Sequence, residues 1–114
     1  MNVRKIMELT DAVCVSGDPD APQEILYGFA ADLMSDVLTL DTEQMLLLTG
    51  LSNVQTIRTA EMADVRCILF VRGKRVTPEM VEVAEENGIT LLESPYSMFR
   101  AVGELAKNGV EAIF

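Results

Sequence analysis

The chain contains no histidine, and that absence alone removes histidine-based catalytic triads and histidine metal sites from the chemistries open to it. Its two cysteines, Cys14 and Cys67, stand far apart, so a structural zinc site is excluded as well. Both lie in apolar segments, where a reduced thiol behaves as a small hydrophobe, and no disulfide is expected. The phosphate-binding fingerprints are missing too: Gly73-Lys74 lacks the upstream glycine and the following Ser or Thr of a GxxxxGK[ST] loop, and there is no GxGxxG. Asp18-Pro19-Asp20 with Glu24 falls short of a calcium loop, since the central glycine and the distant bidentate glutamate are not there. No apolar run reaches the ~18–20 residues that cross a bilayer, and polar residues interrupt MNVRKIMELTD before a secretory apolar core forms. The expectation is a cytoplasmic protein without a membrane partner, metal or cofactor.

Positive charge is missing from one half of the chain. Between Ile6 and Ile57 there is no Lys or Arg, while nine acids occur: Glu8, Asp11, Asp18, Asp20, Glu24, Asp32, Asp36, Asp41 and Glu43. The other nine acids balance the nine bases, so the whole net charge of −9 belongs to the N-terminal half. That balance argues against nucleic acid as a partner and leaves a solvated face or a docking surface for a basic protein.

What is present is a core. At 114 residues, 49% hydrophobic with a mean hydropathy of +0.23, the chain fits one domain, residues 1–114. The most informative stretch runs from Val65 to Leu105. Cys67 to Val71 is a continuous apolar run of strand length, as expected of a parallel strand covered on both faces. Thr77, Pro78 and Glu79 form a helix start that Gly88 closes, with Met80, Val81 and Ala84 covering the sheet. Ile89 to Leu92 is a second buried strand, and Ser94-Pro95 repeats the start signal for a helix whose stripe is Met98, Phe99, Val102, Leu105 and Ala106, ending at Asn108-Gly109.

Upstream, Asn2 starts a short helix with Val3, Ile6, Met7 and Leu9 on its apolar face, Ala12 to Val15 supply a strand, and Gly17 to Asp20 a turn. Ile25 to Ala31 is apolar, but Gly28 and its small neighbours predict an extended or bulged passage into a helix over Asp32 to Leu38. Ser35 or Asp36 cap that helix, and Asp41-Thr42 end the element near Leu40. Gln44 to Thr49 is a buried strand, and Asn53 caps a helix to about Ala63 with Val54, Ile57, Ala60 and Met62 inside. Strands alternating with helices predict a three-layer α/β/α sandwich on a small, mostly parallel sheet. The tail from Val110 to Phe114 is expected to pack on the domain or on a partner chain.

Such a sheet binds ligands at the carboxyl ends of its strands. Three loops qualify: Thr49 to Asn53, Arg72 to Arg75, and Glu93 to Tyr96. Each precedes a helix, and the middle one adds three cations, so an anion such as a nucleotide phosphate finds N–H donors and positive charge together over Gly50, Asn53, Arg72, Gly73, Lys74 and Ser94. The plainer alternative is that the glycines make turns and the cations offset nearby acids. Asp32 and Asp36, one helical turn apart, are the pair open to acid–base work, or else they cap and solvate their helix.

Two motifs resemble a known family. Val71 to Glu79, followed by Ala84 to Ser94, is similar to the end of the N-terminal domain of bacterial HPr kinase/phosphorylase. Ala31 to Leu38, and Leu48 to Asn53 through Arg58 to Met62, resemble the related DRTGG-domain proteins, especially the small stand-alone ones. The resemblance covers about residues 25 to 109. It implies a three-layer α/β/α domain, often self-associating, with a regulatory role and without kinase activity, because the kinase's catalytic phosphate loop lies in a C-terminal domain outside the resemblance. DRTGG domains between CBS modules of regulated pyrophosphatases add an adenine nucleotide as a conceivable ligand, and the stand-alone members are companions of hydrogenase or electron-transfer systems in anaerobes. The signature pentapeptide itself is absent; Ser16 to Pro19 occupies the loop where a Gly-Asp-Arg run is expected. Asp32 to Thr39 also resembles the opening of a CBS motif, but a leucine strand and Thr49-Gly50 follow where a long helix should be. The reading is therefore a non-catalytic regulatory or adaptor domain, a homodimer acting on an unidentified protein partner, with an anion or adenine-nucleotide sensor as the alternative.

Overall fold

The computed structural model describes residues 1–40 and 43–114. In chain order the elements are α1 (Val3–Thr10), β1 (Val13–Ser16), β2 (Tyr27–Ala30), α2 (Met34–Val37), β3 (Met45–Thr49), α3 (Val54–Met62), β4 (Cys67–Phe70), α4 (Pro78–Asn87), β5 (Thr90–Glu93), α5 (Met98–Lys107) and β6 (Glu111–Ala112). The strands form one sheet in the order β1-β5-β4-β3-β2-β6. All its pairings are parallel except that of β1, which runs antiparallel to β5 at one edge.

The central strands read as unbroken apolar runs because each face of the sheet carries its own core. From β3, Leu46 and Leu48 enter one cluster with Val3 and Ile6 of α1 and Ala101 and Leu105 of α5. Met45 and Leu47 enter the other, with Val37 of α2, Ile57 and Ala60 of α3, and Met80, Val83 and Ala84 of α4. Connection handedness explains this division. The crossovers from β2 through β5 step along the sheet in one direction and place α2, α3 and α4 on one side, whereas the step from β5 back to β6 runs the other way and places α5 on the opposite side. The three-layer α/β/α architecture is thus the observed one.

Local signals fixed several boundaries. Asn2, Asn53 and Thr77 each accept a backbone N–H from the first turn of α1, α3 and α4, and Gly88 closes α4 at φ 67°. Arg4 grips Asp20 through two hydrogen bonds of 2.8 and 2.9 Å, which fastens the turn after β1 to α1.

Other expectations need correction. Residues 27–30 form a regular strand in unbroken register between β3 and β6, not a bulged passage. Gly28 belongs there because a Cβ would come within 3.2 Å of the Val110 side chain and 3.8 Å of Leu48. Neither Ser35 nor Asp36 caps α2, which starts after Leu33 without a side-chain cap, and Asp32 lies before it, so Asp32 and Asp36 are not one helical turn apart within it. The expected end at Asp41-Thr42 lies outside the described residues. Met62 is 61% exposed, its place in the α3 interface being taken by Thr56 and Thr59. In α4, Val83 rather than Val81 is buried beside Met80 and Ala84. The last helix is capped by Ser97, not Ser94. Its buried residues are Ala101 and Leu105, whereas Phe99 is 90% exposed and Val102 and Ala106 also face outward. The tail packs back through Val110 and β6, with Phe114 against Phe29 at 6.2 Å between ring centroids.

Candidate functional site

Because β2 to β5 are parallel, the loops that leave them emerge at one edge of the sheet. The helix after β4 packs on one face and the helix after β5 on the other, which makes the gap between these strands the topological switch point where α/β sheets commonly take ligands. The cleft beside it has a volume of about 330 Å³ and is lined by Asp11, Val13, Gly73, Lys74, Arg75, Glu93, Ser94 and Pro95. Backbone bonds zip the two loops together: Arg72 N–H donates to the Tyr96 carbonyl at 2.7 Å and Gly73 N–H to the Ser94 carbonyl at 3.0 Å. That path turns through left-handed conformations at both Arg72 (φ 62°) and Gly73 (φ 68°).

The buried Glu93 carboxylate holds the far end of the same loop, accepting the Val76 N–H at 2.6 Å and facing the Arg75 guanidinium at 3.2 Å. The Ser52 hydroxyl donates to the Arg75 carbonyl and ties in the loop after β3.

The first loop carries the strongest electrostatic feature. Ala31 N–H continues the β2–β3 ladder to the Leu48 carbonyl at 3.1 Å, which sets Asp32 alongside the end of β3. One oxygen of Asp32 accepts both the Gly50 N–H at 2.8 Å and the Thr49 hydroxyl at 3.0 Å, and the other faces an Arg72 nitrogen at 3.6 Å. The Gly50 N–H is the main influence holding the Asp32 carboxyl below the usual carboxylate range; desolvation opposes it, and the Thr49 hydroxyl and the Arg72 and Lys74 charges add to the lowering. The Arg72 guanidinium lies across Gly50 so closely that a Cβ at position 50 would fall on it.

Of the residues the sequence singled out, Gly50 and Arg72 meet here, while Gly73, Lys74 and Ser94 line the neighbouring cleft. Lys74 is exposed and makes no side-chain hydrogen bond or ion pair among the described residues. Asn53 spends its carbonyl oxygen on the α3 cap, accepting from the Thr56 N–H at 2.9 Å. Ser94 is 1% exposed, and its hydroxyl donates to the Thr10 carbonyl at 2.6 Å while accepting the Tyr96 N–H at 3.1 Å, so it frames the site from within. The sequence placed Thr49 and Glu93 in the candidate loops without giving their side chains a part in the site, and assigned Asp32 to a helix. The available signal was position: each lies at or just beyond the carboxyl end of a strand. Ser16 to Pro19, the loop where the family signature is expected, contributes Gly17 and Asp18 to a separate cleft shared with Arg66 and Gly88. Cys67 is fully buried, which pushes its thiol up to about 12, and burial raises Cys14 as well. Both cysteines are free thiols. No helix among the described residues is long and apolar enough to cross a membrane.

Neither a family model nor a curated protein sequence matches this chain. Its fold does match a solved structure, that of the CBS and DRTGG domains of the regulatory region of Clostridium perfringens pyrophosphatase, complexed with the activator diadenosine tetraphosphate. The match has a TM-score of 0.75 at 15% sequence identity and covers 96% of this chain and 47% of that one. The chain therefore spans about half the length of the structure it resembles.

Proposed function

We propose that this chain is a non-catalytic regulatory domain of the DRTGG type, residues 1–114, that self-associates and acts by contact with a protein partner. The observation carrying this reading is the fold likeness, over 96% of the chain, to the regulatory region of a pyrophosphatase. The resemblance to the N-terminal domain of HPr kinase/phosphorylase points the same way, and the link to hydrogenase-type redox systems in the cytoplasm of anaerobes rests on that family resemblance alone.

A second reading is favoured by a separate observation. The fold neighbour was solved with an adenine-nucleotide activator, and here Gly50, Arg72, Gly73 and Lys74 gather donors and cations at one sheet edge, framed by Asn53 and Ser94. In this reading the domain senses an adenine nucleotide or another anion.

Light scattering and a thermal-shift series on the purified chain separate the two. A ligand at ~100 times its dissociation constant adds ~2.7 kcal/mol, a midpoint rise of at least about 4–8 °C for a domain of this size. A dimer whose midpoint ignores ATP, AMP and diadenosine polyphosphates supports the contact reading. A nucleotide-dependent rise removed by Arg72→Ala or Lys74→Ala supports the sensor. A monomer that responds to nothing sinks both.

A further inference from the structure

The Asp32 carboxylate is held as a bound anion would be. Its contacts at the end of β3 are a backbone N–H, a hydroxyl and a guanidinium, the donor set that fixes oxyanions at strand ends and in backbone nests. It nevertheless fills that set poorly. One oxygen takes both short hydrogen bonds, while the other stands 3.6 Å from Arg72, beyond a good charge-assisted bond. Arg72 makes no side-chain hydrogen bond among the described residues, and its backbone is pinned by the Tyr96 carbonyl at the mouth of the site, so a fork of donors is left unused there. Asp32 and Arg72 are each 52% exposed and can be reached from solvent. Lys74, exposed two residues further along the same loop, adds a second cation.

We propose that these groups form a site for a phosphoryl-type oxyanion, and that Asp32 is its internal occupant, displaced when the ligand binds. This inference deepens the anion-sensor reading and rests on it. A tetrahedral phosphoryl group suits the site better than a carboxylate. It has an oxygen for the Gly50 N–H and Thr49 hydroxyl, one for Arg72 and one for Lys74, where Asp32 has only two to offer. Gly50 is required because a side chain there would push the guanidinium away. Asp32 then sets a threshold: only a ligand of higher charge, or at higher concentration, takes its place.

The test is calorimetric titration of inorganic phosphate and of ATP into the wild-type chain and into the Asp32→Ala, Asp32→Asn and Arg72→Ala variants. Asp32→Asn keeps an acceptor for the two hydrogen bonds and guards against a folding defect in Asp32→Ala. Phosphate binding at least tenfold tighter in both Asp32 variants, lost when Arg72→Ala is added, is the expected result. Folded Asp32 variants that bind phosphate no better than wild type overturn the proposal. If wild type binds ATP through Arg72 but the Asp32 variants gain nothing, the sensor reading survives and the displacement idea falls. If the Asp32 variants bind phosphate while no chain responds to nucleotide, the oxyanion site stands and the adenine-nucleotide reading falls. Absence of binding in every chain sinks both.

Discussion

A single missing side chain at position 50 decides where Arg72 lies. Gly50 has no positive φ, so its backbone tolerates alanine, and what a new Cβ meets is the far end of a flexible side chain rather than main chain. The Gly50→Ala variant is therefore expected to move the guanidinium and spare the fold. Its stability in urea unfolding should stay within about 1 kcal/mol of wild type, because the entropy removed from the unfolded chain offsets the weakened Arg72–Asp32 pair. Any oxyanion binding should disappear together with the displaced guanidinium. A loss of about 3 kcal/mol or more would mean that the backbone, not Arg72, gives way. Asp32 also shows why part of the site was hidden from sequence reasoning. An aspartate just before a short helix reads as part of that helix, and only the pairing of β2 with β3 brings it to the Gly50 N–H.

At the scale of elements, two serines three residues apart divide the start of α5 between them. Ser97 caps the helix by accepting the Arg100 N–H at 3.1 Å in an exposed setting, and its replacement by alanine should cost about 1 kcal/mol. Ser94 is buried, and alanine there strands the Thr10 carbonyl and weakens the Tyr96 turn, so about 1–3 kcal/mol is expected. Urea denaturation of the two variants should rank Ser94→Ala as the more damaging; the reverse order would make the Thr10 bond unimportant. Either serine is an acceptable cap by local chemistry, and the choice is made by a carbonyl 84 positions away in sequence. The same division runs through the fold. Asn2, Asn53, Thr77 and Gly88 were legible because their bonds stay within a turn, and β3, β4 and β5 were legible because burial on both faces leaves an apolar run. Strand β2 was not, since Gly28 has low strand propensity and is stabilised by neighbours on both sides. The loops around Gly50 and Gly73 could be placed by the rule for parallel sheets, whereas the engagement of Ser94 depended on the Thr10 carbonyl, which the sequence does not bring near it.

For the whole molecule, the surface that the sheet order leaves uncovered matters most to the proposed self-association. Helix α5 packs on β2 and β3 and on α1, while β6 extends the sheet beyond it. Phe99, Val102 and Ala106 consequently form an outward stripe at i, i+3 and i+7, of which Val102 and Ala106 line a groove of about 150 Å³ with Gly28, Ala30 and Ala112 in its walls. A phenylalanine 90% exposed adds almost nothing to the monomer's stability, so its replacement reads interface energy nearly alone. Phe99→Glu is expected to leave the unfolding free energy of the monomer unchanged within about 0.5 kcal/mol and to shift the proposed homodimer to monomer in sedimentation equilibrium. Phe114→Glu serves as the control, because Phe114 is equally exposed but lies tilted beside Phe29, which packs against the opposite core. Dissociation by the first variant and not the second places the interface on the α5 face. Dissociation by Phe114→Glu alone places it on the other face, and a dimer indifferent to both turns attention to the sheet edges, first that of β1, where Val13 is 55% exposed.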